Sequence, residues 1–130
     1  MGCLLNEARR QRGLRALRRS SLLDRAAQMR AAAIRRCNDF SHTPCGRSFS
    51  SVYNAAGYSV ATHSVAENLA WGTGSLGTAA ATLRAWLASP DHRRNMLDGT
   101  WRKFGVAVLA APRFAGARGV TLWVAEFGAP

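Results

Sequence analysis

The chain has 130 residues, 48% hydrophobic and 19% charged, with a formal net charge of +11. This length and balance suit a single globular domain over residues 1–130 and exclude a largely disordered chain. No run approaches the roughly 18 apolar residues that a transmembrane helix needs, so no membrane-spanning segment is expected.

In chain order, Leu4, Leu5 and Ala8 recur at helical spacing and predict a helix over residues 4–12, stopped by Gly13. Ser20 or Ser21 caps a second helix reaching about residue 36, with Leu22, Leu23, Ala26, Ala27, Ala33 and Ile34 as its apolar stripe. Residues 48–56 form a short helix ended by Gly57, and residues 63–72 suit a strand or its approach. Residues 78–87 are an Ala-rich helix with Leu83, Trp86 and Leu87 on one side. Pro90 ends it, because the residue before a proline is pushed out of the α region. A helical turn over 92–97 follows. Residues 103–111 and 119–127 are dense in Val, Leu and aromatic side chains and predict a hairpin broken by Pro112 and Gly116. Helices first and paired strands last point to an α+β fold with helices covering a small antiparallel sheet.

The positive charge comes from 17 Arg and a single Lys, Lys103. Ten of the arginines precede Cys37, and Arg9, Arg10, Arg12, Arg15, Arg18 and Arg19 around Leu14 and Leu17 read as a solvated helix face. Few aromatic residues interleave with them to stack on bases, so nucleic acid is not the expected partner.

Three segments concentrate the chemistry: Phe40-Ser41-His42-Thr43, Ala66-Glu67-Asn68-Leu69-Ala70 and Ser89-Pro90-Asp91-His92-Arg93-Arg94-Asn95-Met96-Leu97. They hold two of the three histidines and two of the seven acids, Glu67 and Asp91, with Glu67 inside an apolar frame. Together with Trp86, the opening Leu5-Asn6-Glu7-Ala8-Arg9 and the closing Leu122-Trp123-Val124-Ala125-Glu126-Phe127-Gly128, the pattern resembles the bacterial branch of the CAP superfamily, also called SCP domains. That superfamily takes its name from cysteine-rich secretory proteins, antigen 5 and pathogenesis-related 1 proteins.

The resemblance implies an α-β-α sandwich and a surface cleft in which His42, Glu67 and His92 converge. His42 and His92 would hold a divalent cation such as Zn²⁺, with Glu67 orienting a histidine or a bound water behind them. A second family acid falls at Ser89 here, and Asp91 reads as a turn residue rather than a substitute carboxylate. The expected function is a secreted, monomeric, non-enzymatic binding module for a small molecule, lipid or cell-envelope component. The alternative is a metal-assisted hydrolase of peptide, ester or phosphodiester bonds, in which His42, Glu67 and His92 are catalytic and Glu67 activates water.

His63 matches no family position and reads as a loop residue, Asn95 as a backbone hydrogen bonder, and the four tryptophans as core or cleft wall. Cys37 and Cys45 bracket the loop carrying His42; they form a bridge that fixes it, or remain two reduced thiols, with Cys3 as the odd cysteine. The opening residues lack the regions of a signal peptide. The expectation is a secreted or extracytoplasmic protein whose leader is not part of this chain, with cytoplasmic residence as the alternative.

Overall fold

The computed structural model describes residues 1–130. A four-stranded sheet forms the middle layer, from β1 (Arg18–Arg19), β2 (Ser64–Thr73), β3 (Lys103–Phe114) and β4 (Ala117–Ala129), in the order β1-β3-β4-β2. The three long strands are antiparallel as expected, but the two-residue β1 pairs parallel to β3, so the sheet is mixed. No sequence pattern marks β1, because two residues are too few to show a period.

Five helices cover the sheet: α1 (Gly2–Arg10), α2 (Ser21–Cys37), α3 (Ser51–Ala56), α4 (Ala79–Ala88) and α5 (Pro90–Leu97). Their ends follow local chemistry. Ser20 accepts from the Leu23 N–H at the start of α2, Thr78 from the Ala81 N–H at the start of α4, and Gly57 closes α3 in the left-handed region. Pro90 is the first residue of α5, where its missing N–H costs nothing.

The hairpin runs further than expected. Its strands continue to Phe114 and from Ala117, so the turn is Ala115-Gly116, both at positive φ. Pro112 lies inside β3, opposite Gly119, and this pair is skipped in an otherwise continuous ladder. A proline is tolerated there because no strand hydrogen bond is asked of it.

One face of the sheet packs on α2 and α3, with Ala27, Ala31, Ile34, Leu69, Leu122 and Val124 at its centre. The other packs on α1, α4 and α5 through Leu5, Trp86, Met96, Phe104 and Phe127. Arg9 corrects the reading of a fully solvated N-terminal face. It is completely buried in α1, donating to the carbonyls of Arg15, Met96 and Asp98. Its planar fork stitches α1 to the end of α5, a role that the charge of the segment conceals.

On the α2 face, Gly105, Glu126 and Glu67 lie side by side across β3, β4 and β2. A Cβ on Gly105 would stand 2.1 Å from the Leu23 carbonyl carbon and 2.3 Å from the Asp24 nitrogen, so the α2 backbone rests on this residue. Gly105→Ala is expected to lift α2 from the sheet and destabilise the fold by about 2 kcal/mol or more in chemical denaturation.

Candidate functional site

Glu67 lies on β2, the outer strand of the sheet, and its neighbours alternate between the two faces. Its side chain turns toward α2 and is 0% exposed. Two turns of helix beyond the close contact at Gly105, the buried Arg30 reaches it, with Nε donating to Oε2 at 2.6 Å. Arg30 also donates from Nη2 to the Phe49 carbonyl at 2.7 Å and stands 5.5 Å above the Phe49 ring. His42 takes the other oxygen, its Nδ1 lying 2.6 Å from Oε1. A carboxylate only accepts, so Nδ1 carries the hydrogen and Nε2 is left without a partner in the protein. The imidazole side chain is 53% exposed, its ring edge-on to Phe49.

The loop bearing His42 is tied down covalently. Cys37, the last residue of α2, is bridged to Cys45 with their Cα atoms 5.6 Å apart. Closing so short a loop stabilises the fold by about 2 kcal/mol and keeps the imidazole near Glu67. Cys3 is free and exposed.

His92 arrives from the opposite layer. Asn68, next to Glu67 but facing the other side, donates to the His92 carbonyl at 3.0 Å, while Asn95 donates to Asn68 Oδ1 at 2.9 Å and to the Glu67 carbonyl at 3.3 Å. Ser89, where the family's second acid is missing, lies 3.0 Å from His92 Nδ1 through its hydroxyl. Burial first, and then the charge of His42, push His92 below the ordinary histidine range, against a smaller upward pull from Asp91. His92 is therefore a neutral imidazole at neutral pH. The two rings approach from opposite layers around the outer edge of β2, within range of each other's charge.

Beneath this edge lies a residue that sequence reasoning passed over as part of the closing strand. Glu126, fully buried, stands directly across the ladder from Glu67, and Tyr53 donates its hydroxyl to Oε2. Burial, the facing Glu67 carboxylate and a hydrogen bond with it hold Glu126 well above the usual carboxylate range. It stays protonated at neutral pH. Its Oε1 receives no hydrogen bond in the protein, a lack that a protonated carboxyl group beside Glu67 tolerates better than an anion would. Tyr53, pushed up by burial and by both acids, is a hydroxyl donor throughout. Arg30, Tyr53 and Glu126 carried no local signal beyond an acid between Ala125 and Phe127, since their roles depend on α2, α3 and β4 meeting.

The remaining expectations divide. Asp91 is exposed and pairs with Arg94 at 3.1 Å, and it acts on the neighbouring His92 only through its charge. His63 donates locally from Nδ1 to the Ser59 carbonyl, 3.0 Å away, and its ring lies tilted against Tyr58. Trp86 is core, and its Nε1 donates to the Leu69 carbonyl at 3.0 Å, whereas Trp71 is exposed. No three His, Cys, Asp or Glu side chains gather as a metal-holding group. The four main surface hollows, of about 410–580 Å³, are not lined by His42, Glu67 or His92. The His42 ring is open to solvent, and His92 is half-buried.

A helix–sheet–helix sandwich with two histidines and a buried glutamate at its outer strand defines the class of domain expected from the motifs. The cysteine-rich secretory protein family model, CAP, matches residues 4–127, and the chain belongs to that family. Among solved structures it is similar to an outer surface protein of Borrelia burgdorferi, with 20% identity over 98% of this chain and 87% of that one, at a TM-score of 0.79. It is also similar to an extracellular SCP-domain protein of Bacillus anthracis, at 20% identity and a TM-score of 0.82 over 99% of this chain. A cysteine-rich secretory protein of Staphylococcus aureus aligns at 16% identity and a TM-score of 0.67 over 98% of this chain. The chain spans only 39% and 36% of the latter two proteins. At these identities the likeness is one of fold. Among curated proteins no sequence matches the chain at a significant level.

Two expected outcomes follow from the buried charges. Arg30→Met leaves Glu67 buried without its cation and costs about 3–5 kcal/mol of stability, read from denaturant unfolding. Glu126 folds as the neutral acid, whereas in the unfolded chain it ionises in the ordinary glutamate range near 4.3. Its contribution is therefore full below that range and is lost as pH rises toward its raised folded value. Glu126→Gln keeps the hydrogen-bonding shape without the ability to ionise. Its Tm is expected to match the wild type at about pH 4 and to exceed it at about pH 8.

Proposed function

We propose that this domain is an extracytoplasmic, non-enzymatic binding module whose ligand is engaged at the β2 edge by His42 and His92, directly or through a divalent cation. The observation that carries the reading is the pair of imidazoles with both Nδ1 atoms tied back, to Glu67 and Ser89, and both Nε2 atoms free. Hydrogen bonds from a carboxylate or hydroxyl to the far ring nitrogen are how proteins orient imidazole ligands and tune their basicity. The neutral state of His92 favours metal over proton, and Zn²⁺ accepts imidazole readily. A bound cation would supply Lewis acidity and open coordination positions for a ligand donor. With only two protein donors, the ligand completes the site, which suits reversible binding better than a permanently held metal.

Hydrolysis is the weaker reading. A general base must reach the water that it activates. Glu67 is inaccessible, and both of its oxygens are engaged, by Arg30 and His42, with Glu126 hydrogen-bonded beside them. It serves as a fixed orienting anion. An extracytoplasmic setting is supported by the Cys37–Cys45 bridge, which persists in oxidising compartments, and by relatives described as outer-surface, extracellular and secretory proteins. No helix is long and apolar enough to cross a membrane.

Calorimetric titration with Zn²⁺ tests the reading. The wild type is expected to bind, His42→Ala and His92→Ala to lose binding, and Ser89→Ala to weaken it about tenfold by freeing the His92 ring. Equal affinity in the wild type and both histidine variants would remove the cation from the reading.

A further inference from the structure

Away from the imidazoles, the tip of the β3–β4 hairpin folds against the end of α2 around a hollow of about 450 Å³. Its lining includes Arg35, Asn38, Arg113, Phe114 and Arg118 and no acidic residue. Arg113 and Arg118 are directly opposed across the antiparallel ladder. Like charges in that position repel, and strands avoid the arrangement unless something offsets it. Arg35, in the last turn of α2, adds a third guanidinium and is steadied by its Nη1 donating to the Ala110 carbonyl at 3.3 Å. None of the three has a carboxylate within ion-pair distance, and Asp39, which follows Asn38 at the end of α2, pairs with none of them.

The corner is also held in shape. Asn38, left-handed at the end of α2, accepts the Ala115 N–H through Oδ1 at 3.0 Å, joining the helix end to the hairpin turn. Its Nδ2 donates to no protein group, and Asn38 lines the same hollow. Ala115 is kept at φ 49°, a conformation that L residues seldom take without being held. Three forked cations and an amide donor around a concave space of small-ligand size form a charge pattern that lacks its anion.

We propose that Arg35, Arg113 and Arg118, with the Asn38 amide, form a recognition site for the phosphate group of a small soluble phosphate ester or diphosphate. Planar guanidinium forks match phosphate oxygens bidentately, and a dianion bridging Arg113 and Arg118 converts their repulsion into attraction. The concavity favours a small ligand over a flat surface. This site is independent of the two-histidine reading, and either can fail without the other.

Pyrophosphate and inorganic phosphate are the probes, titrated calorimetrically into the full chain at fixed ionic strength. Arg113→Ala and Arg118→Ala are each expected to weaken pyrophosphate binding by roughly tenfold or more. The charge-matched control pair Arg12→Ala and Arg15→Ala, on exposed residues of the N-terminal segment, is expected to leave it unchanged. Arg118→Glu places an acid opposite Arg113, so its Tm in phosphate-free buffer should exceed that of the wild type, and added pyrophosphate should no longer raise it. The proposal is overturned if the wild type binds neither anion, if the control pair weakens binding as much as the corner variants, or if Arg118→Glu retains the pyrophosphate-induced rise. It is equally overturned if phosphatidate vesicles bind through these arginines while pyrophosphate does not, which would make the corner a membrane contact.

Discussion

Burying a carboxylate costs several kcal/mol unless a partner and hydrogen bonds replace the lost water, and at Glu67 the replacement comes from Arg30 on a different layer of the fold. The ion pair depends on α2 lying close to the sheet, which Gly105 permits by presenting no side chain under Leu23 and Asp24. A second acid, Glu126, occupies the strand position between them and is accommodated by keeping its proton. Two adjacent carboxylates and one arginine thus carry no net charge. The interior can hold that group where it could not hold two anions.

From this buried group the outer site follows. Glu67 is held so firmly that it can serve as a fixed acceptor for His42, and the Cys37–Cys45 bridge limits how far the imidazole can stray from it. The neighbouring Asn68 does the same for the second layer, gripping the His92 carbonyl and being gripped by Asn95. Edge strands invite unwanted pairing with other chains, and here the carbonyls of Glu67 and Leu69 are taken by Asn95 and Trp86. The residues that position the histidines therefore also cover the open edge of the sheet.

Charge is unevenly used across the molecule. Of the acids, Glu67 and Glu126 are spent in the interior, and Asp24 joins the start of α2 to the sheet by accepting the Val106 N–H and pairing with Arg19. Few remain to neutralise the exposed arginines. The surplus is not spread evenly either: it includes a directly opposed pair at the hairpin tip.

Helix ends were largely legible because they are decided within a few residues: Ser20 and Gly57 act where the sequence pattern says they should, whereas Thr78 caps α4 from outside it and Pro90, read as a stop, also opens α5 two residues ahead of the expected turn. The ordered motifs around His42, Glu67 and His92 likewise disclosed the family and the sandwich. The short parallel β1, the length of the hairpin and the burial of Arg9 were not legible, since each depends on partners far along the chain. The same holds for the site. Which residues matter near Glu67 could be read only in part, because Arg30, Tyr53 and Glu126 look like an exposed cation, a core aromatic and a strand acid until strand register and helix height place them together. Local periodicity and capping are short-range physics written in adjacent letters. Whether a charge is solvated, paired or protonated is set by what the folded chain brings against it, and only the tertiary structure decides that.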